Sequence, residues 1–109
     1  MNVRLYLWQR GTAALMAPMI LVHVAVIFYA MREQLTAADI LSRTQDSIGW
    51  GAFYGAFVVL ASIHAAIGCR TVLCEWTRLR GRGGDAAAVM IGIVLLVLGL
   101  RAVAAVILP

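Results

Sequence analysis

Apolar and polar positions segregate along this chain into long blocks. Three stretches, Gly11 to Met31, Ser47 to Cys69 and Ala86 to Leu108, are almost free of charge, and two short polar segments, 32–46 and 70–85, separate them. The first two blocks hold no charged residue, and the third is broken only by Arg101. As α-helix each block spans about 30 Å, the thickness of a bilayer's hydrocarbon core. The pattern predicts an all-α integral membrane protein with three transmembrane helices over about 11–31, 47–76 and 86–108, forming one membrane domain. Three such helices leave no room for a soluble catalytic domain. The connections hold no P-loop, no dinucleotide fingerprint and no nucleophile–base–acid set.

Composition sharpens that picture. The 109 residues are 63% hydrophobic and 13% charged, against about 25% charged in an average soluble domain. A soluble fold of this length would expose more apolar surface than it could hide. Arg4 and Arg10 precede the first block as the basic flank of a signal peptide would. That block is longer than the roughly 7–15 residues of a signal core, however, and no small-x-small cleavage site follows. It is expected to be a retained helix. No Ser-rich, acid-poor transit segment stands before it, which favours a bacterial inner (cytoplasmic) membrane over an organelle.

All the basic residues are arginines. Arg4 and Arg10 lie before the first span, and Arg70, Arg78, Arg80 and Arg82 lie between the second and third. In the first connection Arg32 and Arg43 are balanced by Glu33, Asp39 and Asp46. The positive-inside rule puts the N-terminus and second connection in the cytoplasm, with the first connection and C-terminus outside. This asymmetry accounts for the net charge of +4, so no nucleic-acid partner is implied. In the first connection Thr36 stands three residues before Asp39, a capping pair for a short amphipathic turn carrying Ile40 and Leu41 on the outer surface. The basic, glycine-rich 78–84 segment suits anionic membrane lipid or an acidic cytoplasmic partner.

Candidate chemistry centres on His64. A titratable, metal-binding side chain inside a membrane span is costly and therefore functional by default. At 100° per residue Phe53, Phe57, His64, Thr71 and Glu75 fall within about 20° of one line along the second span. Ala61 and Gly68, one turn to either side of His64, leave room for a flat porphyrin. The same small residues equally suit close helix packing, with His64 hydrogen-bonded across the interface. In the first span His23 shares a face with Thr12, Met16, Met19 and Ala30, and Pro18 is expected to kink the helix or free a carbonyl. The third span offers a small-residue stripe, Ala88, Gly92, Gly99 and Ala102, and Arg101 within snorkelling reach of the outer end. Cys69 and Cys74 point about 140° apart. There is no Cys-x-x-Cys-His, so any haem is non-covalent and b-type.

With these residues in view, the chain resembles the small haem-binding membrane-anchor subunits of succinate dehydrogenase (succinate:quinone oxidoreductase), also represented among fumarate reductases. In the smaller anchor of that family the second helix reads His-Ala-x-Ile-Gly, with an Asp-Tyr pair beginning eleven residues after the histidine. Here His64-Ala65-Ala66-Ile67-Gly68 is followed by Glu75-Trp76 at that spacing. The larger anchor's His-x-x-x-Gly-x-Arg is matched by His64, Gly68 and Arg70, and Gln9-Arg10-Gly11-Thr12-Ala13 is similar to the basic-then-small entry into the first helix.

The resemblance implies haem b with His64 as an axial ligand and Gly68 beside the porphyrin. Arg10 is implied at the propionates or at the border of the quinone, and Glu75 and Trp76 at the quinone pocket. Where the family has a tyrosine hydroxyl, Trp76 offers only an indole N–H. The implied partners are a flavoprotein, an iron–sulfur subunit, and either a second anchor chain or a second copy of this one. Three helices alone cannot wrap a porphyrin. His23 is the candidate for the other iron ligand, and depth is the test. If Trp76 marks the inner boundary the two histidines are level; if Arg70 marks it they are not. The alternative is a cofactor-free membrane assembly or transport subunit in which both histidines are structural.

Overall fold

The computed structural model describes residues 3–108. Four helices follow in order: α1 Val3–Arg32, α2 Ala37–Thr44, α3 Ile48–Trp76 and α4 Arg82–Ile107. Among the described residues there is no strand, and α1, α3 and α4 are each long and apolar enough to cross a membrane. The protein is an all-helical, multi-pass membrane protein.

Two of the long helices begin earlier than the apolar blocks. α1 starts at Val3 and carries Arg4 and Arg10 inside it, while α4 starts at Arg82 and carries Asp85 in its first turn. Arginine is a good helix former, so charge ends the membrane-compatible run without ending the helix. α1 also continues through Pro18, which lies on its exposed side.

α3 is the central element, packed against α1 on one side and α4 on the other. The α1 positions turned inward are Leu5, Gln9, Thr12, Met16, Met19, His23, Val26 and Ala30. They alternate in steps of four and three, the repeat that keeps one seam facing a neighbour along two long helices. The stripe of Thr12, Met16, Met19, His23 and Ala30 read from the sequence is this seam.

The α3–α4 contact is closer, and small residues make it possible. A Cβ on Gly92 would stand 3.1 Å from the Ala66 Cβ, and one on Gly99 would stand 2.5 Å from a Val58 methyl. Ala88, one turn before Gly92, is buried. Without a hydrophobic force between helices in lipid, such backbone approach supplies the van der Waals contact that associates them. Ala102, the last member of the expected stripe, is exposed; Gly84, against Cys74, extends the stripe at the other end. Arg70 Nε bonds Asp85 Oδ1 at 2.5 Å between the C-terminal part of α3 and the first turn of α4.

The segment between α1 and α3 is stapled to the far end of α4. α1 ends with the Leu35 N–H on the Ala30 carbonyl and the Gln34 N–H on the Met31 carbonyl, with Gln34 at φ 53°. That is the Schellman pattern, with glutamine at the left-handed position where glycine is usual. α2 then opens on the expected capping box: Asp39 N–H donates to Thr36 Oγ1, and Thr36 N–H to Asp39 Oδ2. At its other end Thr44 Oγ1 donates to the Val106 carbonyl at 2.7 Å, and Asp46 N–H to the Ile107 carbonyl at 2.8 Å. These donors satisfy carbonyls that the last turn of a helix leaves open.

Candidate functional site

His64 lies on the α1-facing side of α3, half-buried, and its nearest polar neighbour comes from the other helix. Thr12 Oγ1 sits 3.2 Å from His64 Nδ1. Thr12 is 2% exposed, and its hydroxyl also lies 2.7 Å from the Trp8 carbonyl one turn back in α1. His64 Nε2 has no hydrogen-bond partner among the described residues.

One turn toward the C-terminal end of α3, Gly68 is covered by Gln9, whose Nε2 lies 3.4 Å from where a Cβ would stand. Gln9 Oε1 is buried and without a partner. Between these residues, with Cys69 and Ile91, runs an apolar crevice of about 400 Å³ that the His64 ring borders. Buried acceptors without donors are uncommon, and Gln9 Oε1 is one at the edge of this crevice. Gln9 and Thr12 were legible in the sequence as members of the entry motif, and Thr12 also as a member of the α1 stripe. The Thr12–His64 bond was not, because the partners lie fifty-two positions apart.

His23 is elsewhere. It packs edge-on to Tyr54, with centroids 5.7 Å apart, and tilted against Phe57 at 5.8 Å. Tyr54 stacks in turn on Trp50 at 5.6 Å, and Phe53 completes the group. Phe57 thus lies against His23 rather than His64. The register explains the separation. Gln9 faces Gly68, Thr12 faces His64 and His23 faces Tyr54 and Phe57, as expected for antiparallel neighbours. Thr12 to His23 is eleven residues of α1, so the two imidazoles stand roughly 15 Å apart along the bundle. Metal–imidazole bonds are about 2 Å long. The level arrangement expected for a Trp76 boundary is not formed: Gln9 meets Gly68, which sets Arg10 at the depth of the Arg70 turn of α3 and not of Trp76. His23 Nδ1 is buried and has no hydrogen-bond partner among the described residues, beside a cavity of about 410 Å³ bordered by Tyr54, Phe57 and Gly99.

The other predicted residues do not gather at His64. Arg10 is exposed, its guanidinium 5.9 Å from the Tyr6 ring, and lies off the α1 seam beside Gln9. Glu75 and Trp76 are exposed at the C-terminal end of α3, Trp76 by 82%, and Glu75 is about 10 Å beyond Gly68 along the axis. Among the described residues no cluster of three or more His, Cys, Asp or Glu is placed to hold a metal ion. The site therefore holds one imidazole beside an apolar crevice.

A profile of the family described as succinate dehydrogenase/fumarate reductase transmembrane subunit matches residues 2–100. The chain belongs to that family. No curated protein and no solved structure matches it. As a succinate dehydrogenase/fumarate reductase membrane subunit it is one component of a larger enzyme. That agrees with three spans whose outward faces carry exposed side chains such as Leu21, Phe28 and Met90.

Proposed function

We propose that this subunit is the cytochrome b-type anchor of a succinate:quinone oxidoreductase-type complex in a bacterial cytoplasmic membrane. It binds haem b through His64 and helps to form the quinone site beside the iron–sulfur subunit. The observation that carries this reading is the state of His64: within a membrane span, its Nδ1 meets Thr12, its Nε2 has no hydrogen-bond partner among the described residues, and the residue borders the Gly68 crevice. A b-type haem would take such an imidazole nitrogen as a ligand.

Haem b, when bound, supplies one-electron transfer between the iron–sulfur subunit and quinone. Gly68 and Ala65 leave the crevice flat, and Gln9 presents its amide along the edge. Arg10 serves the propionates or the quinone border at the cytoplasmic mouth. Glu75 is positioned to exchange protons with a reduced quinone, and Trp76 to donate its indole N–H. The second iron ligand comes from a second anchor chain or a second copy, at the depth of His64. His23 is assigned to the contact with Tyr54 and Phe57. A flavoprotein and an iron–sulfur protein are the remaining partners, docked on the basic cytoplasmic face formed by Arg78, Arg80 and Arg82.

The interhelical Thr12–His64 bond also favours a second reading, a cofactor-free assembly or transport subunit. A dithionite-reduced minus oxidised absorption spectrum decides between them, taken on the complex co-purified with its partners. Sharp b-type bands are expected in the wild type and in His23→Ala, and their loss in His64→Ala. Absence of bands from the wild type, or their persistence in His64→Ala, refutes the haem assignment.

A further inference from the structure

We infer that Thr12 is the positioning residue for His64, fixing the ring's tautomer so that Nε2 carries the free lone pair. The inference rests on the haem reading for its purpose, but its geometry stands on the hydrogen bonds alone.

The argument turns on one proton. A threonine hydroxyl has a single hydrogen and can accept as well as donate. Thr12 Oγ1 has three neighbours: the Trp8 carbonyl at 2.7 Å, the Gln9 carbonyl at 3.1 Å and His64 Nδ1 at 3.2 Å. Both carbonyls can only accept. The hydroxyl proton goes to the shortest of these contacts, the i−4 carbonyl that threonine commonly bonds within helices. Oγ1 is then left as an acceptor toward His64, so Nδ1 must carry the imidazole hydrogen. The neutral ring has only one, and Nε2 is bare. Burial enforces the choice, because Thr12 is 2% exposed and no water competes for its lone pair.

The relay therefore runs His64 Nδ1–H to Thr12 Oγ1, and Thr12 Oγ1–H to the Trp8 carbonyl. It spans both helices and holds the ring's rotation as well as its tautomer. Free histidine prefers its hydrogen on Nε2, so in the absence of Thr12 the ligating nitrogen would be blocked in most molecules. An acceptor on the far ring nitrogen also makes imidazole a stronger donor to a metal, and losing such partners typically costs about 10–100-fold in affinity.

The test uses the full chain co-expressed with its partner subunits, as wild type, Thr12→Val and Thr12→Ser. The ¹⁵N shifts of the His64 ring are read on samples from haem-depleted cells. Haem retention and midpoint potential are read on haem-replete ones. The wild type is expected to carry its ring hydrogen on Nδ1. Thr12→Val is expected to move it to Nε2, to weaken haem retention by about 10–100-fold and to raise the potential, since a poorer donor stabilises ferric iron less. Thr12→Ser is expected to restore all three. A wild-type ring protonated on Nε2 overturns the assignment whatever the haem content. So does a Thr12→Val protein with unchanged tautomer, retention and potential. A wild-type Nδ1–H ring in a complex lacking b-type bands overturns the haem reading instead, and leaves the hydrogen-bond relay as measured.

Discussion

His64 and Glu75 stand on the same face of α3, yet they live in different media. His64 is half-buried between helices, bonded to Thr12 and bordering an apolar crevice. Glu75 is exposed at the C-terminal end of the helix, where water can deliver protons. The proposed division of labour follows from that: a ligand in the dry region, and a proton-exchanging carboxylate at the wet one. Proton transfer by a positioned side chain contributes roughly 10²–10⁴-fold. Glu75→Gln keeps the size and removes the basic oxygen, so quinone reduction by the assembled complex is expected to fall by about 10²-fold while the b-type bands stay at wild-type intensity. Equal loss of bands and activity would place Glu75 in folding or assembly instead. At this scale the sequence was informative about His64 because a lone imidazole in an uncharged span is costly. It placed Thr12 on the α1 face and in the entry motif but gave no sign of its bond to His64, since a hydroxyl on an apolar helix is inexpensive wherever its own i−4 carbonyl can take the proton.

Among the elements, α2 was the most legible and the ends of α1 and α4 the least. Thr36 and Asp39 carry a local signature, and a capping box forms from residues three apart without help from the rest of the fold. Helix ends within a charged flank have no such signature, which is why Val3 and Arg82 extend their helices past the apolar blocks. The box also sets a pH response. The Thr36 N–H and hydroxyl, with Arg43 nearby, hold the Asp39 carboxyl below its ordinary 3.8. A carboxyl depressed on folding lends stability that is fully present above its unfolded value and is lost as pH falls through the folded one. The α2 cap should therefore survive acidification to pH 3.8 and open below it. Amide chemical shifts of Asp39 and Ile40, followed through an acid titration in detergent, report the opening directly. A midpoint at or above 3.8 would mean that the box is not formed in the membrane-bound chain. The α3–α4 seam was legible in a different way. Gly92 and Gly99 were visible as a stripe, but that Val58 and Ala66 fill the space could be known only once the two helices were registered.

Whole-molecule geometry decides what the chain lacks. Residue spacing within one helix fixes depth differences along that helix, but it says nothing about how far a neighbour slides. Two boundary markers, Arg70 and Trp76, therefore left the two histidines either level or apart. The slide is set by side chains that meet: Gln9 over Gly68, Thr12 on His64, His23 among Tyr54 and Phe57. Together they carry the imidazoles roughly 15 Å apart. In a parallel pair of copies the same offset persists, since both chains cross the membrane in one direction, so His23 of either copy is too far out to meet His64 of the other. On the proposed haem reading, an iron held by His64 would take its other protein ligand from His64 of a second copy or from a different chain. The two cases differ in stoichiometry. A different anchor chain gives one haem for each copy of this subunit; a second copy gives one haem for every two. Pyridine haemochrome content, set against quantitative amino-acid analysis of the purified complex, distinguishes them. Two haems per copy, or one haem abolished by His23→Ala, would contradict the offset on which the argument depends.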